Sequence, residues 1–201
     1  MGTLSVNFQN KNYLVSQSPE IPDIDKSWTI FLDRDGVINE RIVGHYITKV
    51  EDFKFLPGVI NAIGIFNQLF FKTIIITNQA GVGKKLMSQS DLDDIHDHLQ
   101  SELKINQVFI DKIYACTDLP SKASNHRKPN PYMGIRASHD MPGIDLKKSI
   151  MVGDTKSDMQ FGRRLGALTV LIEHGLEEQA EIEYSLIDYR FSSLFAFARS
   201  L

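Results

Sequence analysis

A chain of 201 residues with 42% hydrophobic and 23% charged residues is ordinary in make-up and long enough for one full core. A formal net charge of −3 counts against a nucleic-acid-coating protein, and the single Cys116 excludes an intramolecular disulfide. With no signal-peptide core near Met1 and no apolar run approaching about 18 residues, a soluble, cytoplasmic chain is expected, either a monomer or a weak homo-oligomer, with no membrane partner.

Residues 1–27 are polar and turn-rich and read as an N-terminal extension, with a short hairpin around Asn10-Lys11-Asn12. Residues 28–201 read as a single domain. Trp28 is expected to plug the base of a sheet. The apolar run Thr29-Ile30-Phe31-Leu32 opens a strand over 29–33, of the kind buried on both faces of a parallel sheet. After an irregular stretch, a helical pattern covers 59–70 and a second buried strand covers 72–78 ("KTIIITN"). Residues 88–106 form a helix with Leu92, Ile95, Leu99 and Leu103 on its apolar side. Ser90 with Asp93 is expected to cap it, and His96 and His98 are expected on its solvated side. Strands at 112–116, 149–154, 168–173 and 189–191 follow, with helices from 131 and up to 166 between them. Cys116 reads as a small core residue. Strands alternating with helices predict an α/β fold, a doubly wound, mostly parallel sheet with helices on both faces. The stretches after Gly36 and Asn78 are too short for more than a minimal cap.

Ligands of such sheets bind at the carboxyl ends of the strands, near the switch in strand order. Those ends carry Asp33 and Asp35, then Thr77-Asn78, then Asp154 with Asp158 four positions on; the loop after Cys116 carries Arg127-Lys128. Asp33 and Asp35 project to the same side if the strand continues through them. Two carboxylates placed together need a cation, and Asp33, Asp35 and Asp154 are hard oxygen donors of the sort that hold magnesium. A hydroxyl at Thr77 and the ammonium of Lys128 suit a phosphoryl group, whose transfer depends on positioning and charge neutralisation. One aspartate then serves as nucleophile and the other as acid and base.

At these residues the chain resembles a family. "FLDRDGVIN", "IIITNQAG", "RKPNP" and "MVGDTKSD" look like the four ordered motifs of the haloacid-dehalogenase-like phosphatases, most closely the heptose-bisphosphate and histidinol-phosphate phosphatase branch. The resemblance implies a phosphomonoesterase for a small phosphorylated metabolite such as heptose 1,7-bisphosphate, working through an aspartyl-phosphate. It implies Asp33 as nucleophile and Asp35 as general acid and base, with magnesium held by Asp33, the backbone carbonyl of Asp35 and Asp154. Thr77 with Asn78 and Lys128 would bind phosphate, Arg127 would recognise substrate, and Asp158 would lie behind Asp154.

Two departures stand out. The branch's zinc site, a Cys-x-His and a Cys-x-Cys pair, is replaced here by "ACTDLPSKASNHRKP", which keeps only Cys116 and a displaced His126, so no zinc is expected. The family's His-Gly-Tyr loop is here "RIVGHY", about two residues longer, which places Arg41 and Tyr46 in the substrate loop and leaves substrate identity open. Lys84, after "GVG", reads equally as surface charge or as a contact for a distal phosphate. The glycines of "QAGVGKK" lack nucleotide P-loop spacing. Alternatives are a histidinol-phosphate phosphatase, a polynucleotide 3′-phosphatase and, from another class, a receiver-like signalling domain. Net acidity counts against the second and Asp35 against the third.

Overall fold

The computed structural model describes residues 20–42, 44–119, 121, 126–175 and 177–201. The hairpin expected at Asn10-Lys11-Asn12 lies outside them. Six strands form one sheet: β1 (Thr29–Leu32), β2 (Lys72–Asn78), β3 (Lys112–Cys116), β4 (Ser149–Gly153), β5 (Leu168–Ile172) and β6 (Tyr189–Phe191). Their order is β3-β2-β1-β4-β5-β6, with every neighbouring pair parallel. The expected doubly wound sheet is therefore present. Strand order reverses between β1 and β4, so the crevice of this sheet opens beyond Leu32 and Gly153.

The period of two along each strand sorts side chains onto two faces. Ile30, Leu32, Ile75, Val152 and Val170 pack on one side with α1 (Val59–Leu69), α3 (Gln89–Ile105) and α7 (Leu194–Ala198). Phe31, Ile74, Ile76 and Met151 pack on the other, against α4 (Tyr132–Asp140) and α5 (Lys156–Leu165). Short helices α2 (Ala80–Gly83) and α6 (Glu177–Ala180) complete the set. Among its described residues the segment from β1 to α1 contains one 3₁₀ turn, Val50–Asp52, and two isolated bridges through Asn39, and they form no separate cap.

Several details differ from expectation. β1, β4 and β5 each stop one residue early, which leaves Asp33, Asp154 and Glu173 beyond the ladder. The glycines after Gln79 form the helical turn α2. The cap of α3 is Ser88 with Asp91, which bond each other's backbone N–H at 3.1 and 2.7 Å, two residues before the expected Ser90–Asp93 pair. Neither histidine of α3 faces water freely. His98 packs edge-on against Phe53 at 5.9 Å, and His96 turns toward Arg34.

Trp28 packs against the core at the sheet's base, and Cys116 is buried. Residues 20–27 also lie on the body of the domain, where Ile21 and Ile24 pack on the core and Lys26 Nζ donates to the carbonyls of Asn67 and Phe70 at 2.8 and 3.0 Å. Among the described residues no helix is long and apolar enough to cross a membrane.

Candidate active site

A cavity of about 380 Å³ opens over the carboxyl ends of β1, β2 and β4. Its walls include eight of the residues picked from sequence: Asp33, Asp35, Arg41, Tyr46, Asn78, Lys84, Arg127 and Lys128. Thr77, Asp154 and Asp158 lie beneath, all essentially inaccessible. Ile42 and His45, from the expected substrate loop, also line the cavity, as do Thr155 and Ser157, which the sequence reading does not single out.

Lys128 is the hub. Its ammonium is buried and uses its three donors on Asp33 Oδ1 at 2.7 Å, Asp158 Oδ1 at 2.6 Å and the Ile76 carbonyl at 2.8 Å. Burial works to discharge it, but Asp158 and Asp33 win and hold the lysine cationic. Asp33 Oδ1 also accepts from the Arg34 backbone N–H at 2.8 Å. Burial and the Asp158 charge push Asp33 up to about 7, against the pull of Lys128. Asp154 is pushed up to about 8 by burial, Asp158 and Asp33, opposed by Arg41. The site thus concentrates more negative charge than its own cations neutralise.

A hard cation fits that excess. One oxygen from each of Asp33, Asp154 and Asp158 lies within 4.8 Å of the others, and Asp154 Oδ1 is buried with no hydrogen-bond partner. Asp158 is the least available of the three. Besides Lys128 it caps α5, accepting from the Thr155 N–H and hydroxyl at 3.0 and 2.6 Å. Two glycines make this crowding possible. A Cβ on Gly36, whose φ is +88°, would stand 2.2 Å from Asp154 Oδ2, and one on Gly153 would stand 2.2 Å from Asp158 Cβ.

Asp35 sits in a different environment. Arg34 Nη2 donates to both of its oxygens at 3.0 Å, Asn39 to Oδ1 at 2.8 Å and Gln79 to Oδ2 at 2.8 Å. Burial works to raise its pKa, but the Arg34 charge and these donors together hold it below the usual carboxylate range. Neighbouring aspartates thus carry opposite shifts, the pattern of a divided acid–base task. Gln79 also donates to Thr77 Oγ1 at 2.8 Å, linking it to Asp35.

On the rim, Arg41 Nη1 bridges Asp154 Oδ2 at 3.2 Å and Glu178 at 2.6 Å. Lys84 stands over the Tyr46 ring at 5.1 Å, and Arg127 Nη1 is buried without a hydrogen-bond partner among the described residues. From the β5 side, Gln179 donates to the carbonyls of Asp154 and Ile172 at 2.8 and 2.9 Å, and His174 Nε2 meets the Gly36 carbonyl at 2.6 Å. Glu178, Gln179 and His174 carry no motif, and nothing in their composition marked them.

Comparison with known proteins agrees with this geometry. Residues 125–194 match a family model described as HAD-hydrolase-like. The chain is 32% identical over 171 residues to the D-glycero-D-manno-heptose-1,7-bisphosphate 7-phosphatase of Chlorobaculum tepidum, covering 80% of this chain and 85% of that one. It is 37% identical over 140 residues to the D-glycero-alpha-D-manno-heptose-1,7-bisphosphate 7-phosphatase of Mycobacterium bovis, covering 70% and 74%. Among solved structures, the D,D-heptose 1,7-bisphosphate phosphatase of B. bronchiseptica, complexed with magnesium and phosphate, superimposes with a TM-score of 0.77 at 26% identity, covering 86% of this chain and 96% of that one. The chain belongs to the heptose-bisphosphate phosphatase family of the haloacid-dehalogenase-like hydrolases.

Proposed function

We propose that this protein is a magnesium-dependent phosphatase that releases one phosphate from a heptose 1,7-bisphosphate through an aspartyl-phosphate on Asp33. The observation that supports this reading most is the Asp33–Lys128–Asp158 chain, with the orphan Asp154 oxygen beside it, at the switch between β1 and β4. The names of the relatives supply the sugar. A cytoplasmic location and a small phosphorylated sugar as partner go with it.

Asp33 attacks phosphorus, and the bond to the sugar oxygen breaks. Asp35 delivers a proton to that oxygen as it leaves. Asp35 then takes a proton from the water that attacks the aspartyl-phosphate, which frees inorganic phosphate and restores the Asp33 carboxylate. A substrate arriving as its phosphate monoanion brings the proton that the Arg34-bound carboxylate lacks. Lys128 works against burial to favour the ionised Asp33 and orients it, and Thr77 with the backbone beyond it receives the phosphoryl oxygens. Magnesium would be held by Asp33, the Asp35 carbonyl and Asp154, and when bound it neutralises charge on the phosphoryl oxygens. Arg127 and Lys84, both on the cavity wall, would hold the part of the substrate that is not transferred.

Phosphate release tests this directly. Heptose 1,7-bisphosphate with magnesium should be hydrolysed with at least a hundredfold higher kcat/KM than histidinol phosphate or a 3′-phosphorylated oligonucleotide. Preference for either of the latter two overturns the substrate assignment, and activity undiminished after magnesium removal overturns the metal's role.

A further inference from the structure

Helix α3 contributes nothing to the strand-end set, yet one of its side chains reaches the Asp33–Asp35 segment. His96 Nε2 stands 3.3 Å from Arg34 Nη1. A guanidinium offers only donors, so His96 accepts there and carries its own proton on Nδ1. Burial, followed by the Arg34 charge, pushes its pKa down to about 4, which keeps the ring a neutral acceptor at working pH.

Arg34 is wholly inaccessible. Its Nη2 faces Asp35 and, at 3.2 Å, Gln79 Oε1, while its Nε is buried with no hydrogen-bond partner. The guanidinium is therefore pinned at its two ends, by Asp35 with Gln79 on one side and by His96 on the other. We infer that His96 is a positioning residue for the acid–base group Asp35, acting through Arg34: by accepting from Nη1 it fixes the plane of the guanidinium that aims Nη2 at the Asp35 carboxylate. Leu92, Ile95 and Leu99 are fully buried in the core, which makes α3 a rigid anchor for this contact. Without the acceptor, Nη1 joins Nε as an unpaired buried donor. The planar group then turns toward other acceptors and takes Nη2 off Asp35.

The inference rests on the reading of Asp35 as acid and base, and the test separates the two. kcat/KM is measured for a sugar phosphate, whose leaving oxygen needs a proton, and for p-nitrophenyl phosphate, whose leaving group does not. His96→Leu should lose about tenfold to a hundredfold on the sugar phosphate, through kcat rather than KM, and less than about threefold on the aryl ester. His96→Gln, which keeps an acceptor, should recover most of the loss. Equal losses on both substrates, or a Gln variant no better than Leu at matched melting temperature, overturn the role of His96. Asp35→Asn is the reference. If it discriminates between the substrates while His96→Leu does not, only the His96 inference fails. If Asp35→Asn itself does not discriminate, the acid–base reading and the inference built on it fall together.

Discussion

Asn78 and Lys128 exchange two hydrogen bonds: the Asn78 Oδ1 accepts from the Lys128 backbone N–H at 3.0 Å, and its amide donates to the Lys128 carbonyl at 3.2 Å. Both ends of the Asn78 side chain are thereby engaged, so its part is to fix the loop that carries Lys128 to Asp33. Asn78→Ala should lower kcat by about a hundredfold, the usual cost of misplacing a catalytic group by about 1 Å, with a smaller change in KM. Steady-state kinetics with a melting curve check this; unchanged kcat would show that the Lys128 loop holds itself.

Replacing Asp33 by asparagine should abolish turnover without unfolding the protein, because an amide oxygen does not form the acyl-phosphate and Asp158 still partners Lys128. Activity within tenfold of the parent, by phosphate release, excludes Asp33 as nucleophile. Asp35→Asn should slow both halves of the reaction and leave phosphoenzyme, visible as a phosphoryl mass increase on Asp33 after denaturing quench.

Metal and pH act on the same carboxylates. Folding raises Asp33 to about 7 and Asp154 to about 8. A carboxylate raised on folding adds stability below its unfolded pKa of about 4 and loses it as pH climbs through the folded value. Metal-free protein should therefore lose stability between about pH 5 and 8.5. Magnesium, which needs both groups ionised, should raise the melting temperature more at pH 8.5 than at pH 6. A magnesium-induced shift independent of pH would mean that these carboxylates do not bind it. The same preparation should hold no stoichiometric zinc by elemental analysis.

Arg127 lines the cavity, and its buried Nη1 has no hydrogen-bond partner among the described residues. Arg127→Ala should cost the sugar bisphosphate far more kcat/KM than an aryl phosphate, which has no distal group to hold, and lysine should replace it poorly. Equal losses would place Arg127 on the transferred phosphoryl group.

The central strands β1, β2, β4 and β5 were legible because they are buried nearly throughout, and β2, β3 and β6 have the ends expected of them. The strand-end carboxylates were legible because the topology gathers strand ends at one rim. What escaped depends on partners distant in the chain. Nothing near Arg34 announces that it will be wholly buried, since its second acceptor sits on α3. His96 did leave a trace: it lies four positions after Leu92 and three before Leu99, on the helix's apolar stripe, yet as a polar residue beside Asp97 and His98 it reads with them as part of the solvated side. Asn78 stood at the right strand end for phosphate, but its amide turned to the neighbouring loop. The Ser88 cap lost to Ser90 because both have an aspartate three positions on.

The pairing of β1 with β4, in which Thr29 lies opposite Ser149, also sets when the metal site comes into being during folding. Asp33 and Asp154 become neighbours only once three strands and the helices between them have been laid down and the chain has returned to β1. Such distant pairing closes late and slowly. Magnesium is therefore expected to meet a finished site and to stabilise interactions made after the rate-limiting step. It should slow unfolding in denaturant and leave the refolding rate nearly unchanged, which places the ion's contribution in the lifetime of the native state.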